Sequence, residues 1–160
     1  MNWQEVCDNR LLKDLPFKLE TDRWGHIVMS PATNRHSWLQ GEILSLLKQA
    51  LPFGRVLPEC SIQTSEGVKV ADVVWASADF FVRHGFANPY PEAPEIVVEV
   101  LSPPNSVAEM EEKKGLYFAR GAREFWVCGE DGKMGFHDNH VGLERSILAP
   151  KFPDRIELPL

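Results

Sequence analysis

No run of this chain is apolar for long enough to cross a bilayer, and its most hydrophobic stretch, Ile96 to Leu101, is itself interrupted by Glu99. The opening residues Met1-Asn2-Trp3-Gln4-Glu5 lack the basic start and apolar stretch of a secretory signal. Cysteine is scarce: Cys7, Cys60 and Cys128 lie far apart with no CxxC pair, which argues against a zinc site or a disulfide framework. Reduced thiols in a cytoplasmic protein are the plain reading. Positive charge is also in deficit, with 17 Lys and Arg against 23 Asp and Glu and a net charge of −6. That balance counts against a surface that coats nucleic acid broadly, although it leaves room for a local basic cleft. Repeats, low-complexity segments and linkers are absent as well. What remains is the composition of one globular domain over residues 1–160, soluble, 44% hydrophobic and 25% charged, and long enough to bury a full core.

The pattern along the chain predicts a mixed α/β architecture. A short helix is expected around Trp3 to Leu12, followed by an ambiguous stretch to Trp24. Gly25 to Ser30 reads as a short strand ended by Pro31, and Thr33-Asn34 supplies capping chemistry for a helix from about Arg35 to Leu51. Leu39, Ile43, Leu46, Leu47 and Ala50 recur there at helical spacing. Arg55 to Thr64 and Val68 to Ala76 form a predicted hairpin about Ser65-Glu66-Gly67. Ser77 to Pro94 reads as a long aromatic loop, then comes the strand Glu95 to Leu101, then a helix from about Ser106 to Arg120 with Gly121 as its C-cap. Glu124 to Cys128 and Met134 to His137 complete the strands, leaving a weakly alternating tail. The fold class is therefore α/β, of the α+β type, with a central mixed sheet flanked by helices.

Glu99 is the most informative residue. Its strand is short, β-branched and bounded by prolines, the kind covered on both faces, and an isolated carboxylate there must take a proton, pair with a cation or bind a metal. Asp72 poses the same problem in Val68 to Trp75, where alternation places it on one face with Val70 and Val74 and places Ala71, Val73 and Trp75 on the other. If the two strands are neighbours, the two acids converge. Two carboxylates, a backbone carbonyl and water are the donors that Mg²⁺ or Mn²⁺ prefers.

The helix after the Glu99 strand offers two lysines. Lys114 projects within the apolar face of Val107, Met110, Tyr117 and Phe118, and Lys113 lies at its edge, so periodicity leaves the choice open. His36, at the start of the earlier helix, shares an inward face with Ile43 and Leu47, and Gln40 lies one turn along. His137-Asp138-Asn139-His140 falls where a hairpin turn is expected and lacks the spacing of a metal motif; His84 has no partner nameable from sequence.

These elements, in this order, resemble the Uma-type family of restriction-endonuclease-like proteins, a branch of the PD-(D/E)xK nuclease-like superfamily. The resemblance runs from about Met29 to Val127: Met29-Ser30-Pro31, His36 heading a helix, Gly54-Arg55-Val56, Val68 to Val73, and above all Pro94 to Pro103, then Lys113, Tyr117, Gly121 and Glu124 to Val127. It implies a restriction-endonuclease-like core. It implies too that Asp72 and Glu99 bind the metal, that Val100 adds a backbone carbonyl, and that Lys113 replaces the superfamily's usual lysine, whose place Leu101 holds. His36 and Tyr117 follow as accessory groups at the rim. Departures are Ala71 in place of a proline, Glu109 in place of an aspartate, and Cys128-Gly129 in place of an acidic residue; none removes a ligand. The implied function is an Mg²⁺- or Mn²⁺-dependent endonuclease acting on DNA. The competing reading is a non-catalytic nuclease-fold module that binds nucleic acid or protein, which the net acidity favours. A homodimer whose edge strands pair, with assembly accounting for an exposed apolar loop at Phe80, Phe81 and Phe86, is compatible with either.

Overall fold

The computed structural model describes residues 1–103 and 107–159. Among the described residues four helices, α1 (Trp3–Asp8), α2 (Asn34–Ala50), α3 (Ala78–His84) and α4 (Val107–Ala119), accompany eight strands. The strands are β1 (Phe17–Thr21), β2 (Ile27–Pro31), β3 (Arg55–Thr64), β4 (Gly67–Ala76), β5 (Ile96–Val100), β6 (Glu124–Cys128), β7 (Met134–His137) and β8 (Gly142–Leu143). Strands β3 to β8 form one six-stranded sheet in sequence order. Every neighbouring pair is antiparallel except β5 and β6, which are parallel and joined through α4. β1 and β2 form a separate antiparallel ribbon.

Each helix begins where side-chain chemistry allows. Thr33 caps α2 through the N–H of His36, and Ser77 caps α3 through that of Phe80. At the far end of α4, Gly121 has φ +99, its N–H donates to the Phe118 carbonyl, and the N–H of Ala122 donates to that of Tyr117. That paired closure stops the helix and fixes Tyr117 in its last turn. The expected start of α4 at Ser106 lies outside the described residues.

The stretch from Ser77 to Pro94, read from sequence as loop, contains α3. Its seven residues, capped at Ser77 and closed by Gly85 at φ +54, are too few to show a helical period. Phe80, expected on an exposed apolar loop, is buried against Tyr90, while Phe81 is half-buried and only Phe86 of the three stands in solvent. The apolar patch suggested for a homodimer is correspondingly reduced.

The sheet is covered on both faces, which explains why all of β5 is buried. Leu39, Ile43 and Leu47 of α2 pack on one face with Val73, Ile96, Val98 and Trp126, joined by Phe152 and Ile156 from the tail. Phe80, Tyr90 and Tyr117 cover the other face with Val74, Val97 and Phe125. Alternation holds in β5 and β6. In β4 it breaks beside Asp72: Ala71 packs with Val74 when strict alternation would set it on Val73's face. The break lies opposite Glu59, whose φ of +52 places it in the left-handed region between the pairs Pro58↔Val73 and Cys60↔Ala71.

Candidate active site

The ladder between β4 and β5 runs Trp75↔Ile96, Val74↔Val97, Val73↔Val98 and then stops. The next pair in that register is Asp72 and Glu99. Where a backbone carbonyl would continue the ladder, the Asp72 carboxylate takes over, its Oδ2 accepting the N–H of Val100 at 2.7 Å. The two strands therefore end their pairing at the point where their acids meet. Asp72 and Glu99 are only 1% and 2% exposed, so both need partners.

Part of the answer comes from a segment that the sequence left ambiguous. Beyond the end of the ladder with β5, the flank of β4 carries the N–H groups of Val70 and Val68, which donate to side chains of β1. Glu20 Oε1 accepts the first at 2.9 Å and Thr21 Oγ1 the second at 2.8 Å. These side-chain bonds dock β1 along β4. The docking is close enough that a Cβ on Gly67 would lie 2.3 Å from the Asp22 carbonyl oxygen. Two residues before Glu20 on the same face of β1 stands Lys18. Its ammonium lies 3.0 Å from Asp72 Oδ1 and 3.3 Å from Glu99 Oε2.

The remaining oxygens are held from the helices. His36 Nε2 lies 3.2 Å from Asp72 Oδ2, and the Gln40 amide donates to the Asp72 carbonyl and to Glu59. Tyr117 donates its hydroxyl to Glu99 Oε1 at 2.8 Å. Lys113 Nζ reaches the same oxygen at 3.4 Å and Glu20 Oε1 at 3.0 Å. Lys114 points away to pair with Glu111, which places Lys113 and not Lys114 at the acids. Tyr117 is wholly buried beneath Glu99, so it supports the acid from below and forms no rim. His84 pairs with Glu92 elsewhere, and Asp138 accepts the N–H groups of His140 and Val141 in a surface turn.

Electrostatics follow from this packing. Burial opposes the charge of Lys18, but Glu99, Asp72 and Glu20 outweigh it and raise the ammonium's pKa. Burial likewise works against the Asp72 carboxylate; Lys18, His36 and the Val100 N–H more than reverse it and hold the carboxyl well below its ordinary value. Glu20 is lowered in the same way, its burial overcome by Lys113 and Lys18. Glu99 goes the other way: burial pushes it up, and nearby Asp72 and Glu20 add to the push that Lys113 and Lys18 oppose. Tyr117 is raised well above the phenol range by burial and by Glu99, so it remains a donor. The hydrogen bond to Asp72 raises His36.

A cavity of about 380 Å³ opens over Asp72 and Glu99, with Lys18, His36, Lys113 and Val100 in its wall. Among the described residues no three His, Cys, Asp or Glu side chains are grouped to hold an ion by themselves. Two carboxylate oxygens do converge on one cationic atom, the Lys18 nitrogen, which stands in for a bound cation. A hard oxygen-seeking ion that retains water suits such a two-carboxylate donor set, with Val100 nearby to add a carbonyl.

Comparison with known proteins extends this picture. The Uma2 family model, described as "Putative restriction endonuclease", matches residues 12–140. That span is wider than the Met29 to Val127 suggested by the motifs, and it takes in Lys18 and Glu20. A crystal structure described as "a putative nuclease belonging to DUF820", from Anabaena variabilis ATCC 29413, superposes with a TM-score of 0.66. It is 18% identical, over 77% of this chain and 73% of that one, a likeness of fold. The mixed α+β class and the nuclease-like core expected from sequence are thus the ones found. No curated protein matches the chain.

Proposed function

The chain belongs to the Uma2 family, and from that premise we propose that it is a metal-dependent endonuclease hydrolysing phosphodiester bonds in DNA. The observation that carries the reading is the convergence of Asp72 Oδ1 and Glu99 Oε2 on one cation position at the mouth of a cavity. Asp72 and Glu99, with the Val100 carbonyl, would hold Mg²⁺ or Mn²⁺. When bound, such an ion supplies charge stabilisation for the phosphoryl transition state and eases the ionisation of water.

The chain's own groups prepare the site. His36 and the Val100 N–H hold one oxygen of Asp72, so its other oxygen faces the cavity. Tyr117 fixes Glu99 in the same manner. Lys113, held between Glu20 and Glu99, presents a pre-oriented ammonium that orients the attacking water or neutralises charge on the phosphoryl oxygens. Hydrolysis then places the water oxygen on phosphorus as the bridging P–O bond breaks, and the leaving oxygen takes a proton.

The test is cleavage of plasmid and linear DNA with Mg²⁺ or Mn²⁺. We expect Asp72→Asn and Glu99→Gln each to lower the rate by about 10²-fold or more, and EDTA to abolish it. Cleavage that survives both substitutions overturns the assignment. One observation favours a second reading, a nuclease-fold module that binds without turnover: Lys18 occupies the cation position. Calorimetric titration with Mn²⁺ separates the two, since the module needs no ion.

A further inference from the structure

We propose that Lys18 is a resident counter-ion exchanged for the divalent ion, so that metal enters as the lysine swings out and the freed ammonium then lines the substrate cavity. The proposal rests on the reading of Asp72 and Glu99 as metal ligands and adds a role for a residue on a different element. Three features of the structure support it.

The first is geometry. Lys18 touches the cavity-facing oxygen of Asp72 at 3.0 Å and the free oxygen of Glu99 at 3.3 Å, the two atoms a shared ion would need. The other oxygens are already committed to His36, the Val100 N–H, Tyr117 and Lys113. Lysine and metal therefore compete for the same place.

The second is charge. Glu20, Asp72 and Glu99 bring three carboxylates, and Lys113 stays paired with two of them. With Lys18 withdrawn these four groups carry a formal charge of −2, which one divalent ion neutralises. With Lys18 in place those four groups and Lys18 together carry a formal −1, and His36 lies beside them, 3.2 Å from Asp72 Oδ2. Exchange is thus cation for cation, and no buried carboxylate is left bare at either end point.

The third is freedom to move. Lys18 belongs to the β1–β2 ribbon and not to the six-stranded sheet, and its side chain, 14% exposed, lines the cavity of about 380 Å³. Rotation about its four-carbon stem carries the ammonium into that space without unfolding β1, which Glu20 and Thr21 hold in place. There it faces the region where a phosphodiester must approach the acids.

Competition of this kind weakens apparent metal affinity by the fraction of time the position is vacant. Mn²⁺ titrations by calorimetry on the wild type, Lys18→Met and Lys18→Met/Asp72→Asn test it. We expect Lys18→Met to bind at least tenfold tighter than the wild type, and the double variant to lose that gain. Binding by Lys18→Met alone, with none in the wild type, overturns the exchange: Lys18 then holds the position permanently, as the module reading requires. Equal or weaker affinity in Lys18→Met, beside a wild type that binds, overturns the role of Lys18 and leaves the metal reading standing. Absence of binding in both overturns the two together, and a gain that persists in the double variant places the ion elsewhere and overturns the proposal. Lysine acylation footprinting of the wild type by mass spectrometry needs no variant: labelling of Lys18 should rise at least severalfold with saturating Mn²⁺, with exposed Lys48 as the reference. Unchanged labelling at saturation overturns the exchange.

Discussion

Replacing Glu124 by glutamine tests whether the buried acids of this chain are satisfied in the way their geometry states. Glu124 opens β6, is 2% exposed and lies away from the cavity. Its carboxylate accepts four hydrogen bonds from neutral donors. Oε1 takes the N–H groups of Ile147 and Leu148, each at 2.8 Å, and Oε2 takes Trp126 Nε1 at 2.8 Å and Ser146 Oγ at 2.6 Å. In Glu124→Gln the amide oxygen keeps the two backbone donors. The amide nitrogen then faces the indole N–H, donor against donor, while Ser146 can rotate to accept. An unsatisfied buried N–H costs about 1–3 kcal/mol, and the surviving bonds lose charge assistance. Relief of carboxylate desolvation offsets part of this, leaving a net loss of about 2–4 kcal/mol. For a chain of this length that lowers Tm by roughly 5–15 °C. Urea titration followed by Trp fluorescence measures it, with an unchanged m-value marking an intact native state. DNA cleavage per folded molecule should match the wild type. A loss below about 1 kcal/mol refutes the donor-matching argument.

Two further outcomes follow from the same structure. Cys60 and Cys128 are buried, with thiols pushed up to about 12 chiefly by that burial, whereas Cys7 is exposed; one thiol should react quickly with a disulfide reagent at pH 8 in the native protein, and all three after denaturation. The bond to Asp72 raises His36 above its ordinary 6.5, so its NMR titration midpoint should lie above that value and fall in Asp72→Asn. Because the folded value is the higher one, His36 contributes stability that is fully present below about pH 6.5 and lost as pH rises through the folded midpoint; an unshifted midpoint in the wild type counts against the contact.

Local sequence was enough for the longer elements and for the two acids of the candidate site. β-branched runs, turn glycines and one amphipathic period specify β3 to β7, α2 and α4, because strands and longer helices carry their own periodicity. The same local logic marks Asp72 and Glu99, since a carboxylate in an apolar strand is anomalous wherever that strand lies. Short elements left no such mark: α3 spans too few residues for a helical period, and β1 mixes exposed, half-buried and buried positions, which blurs its alternation. The signal that was there, Lys18 and Glu20 two apart with opposite charge, has meaning only once β1 is known to dock on β4. That docking depends on the ladder with β5 ending at Val73 and Val98, which leaves the Val70 and Val68 N–H groups for Glu20 and Thr21. Sequence alone thus determined that two buried acids needed a proton or a cation. Tertiary structure decided that this cation is Lys18, because only the path of the chain in space brings residue 18 to residues 72 and 99.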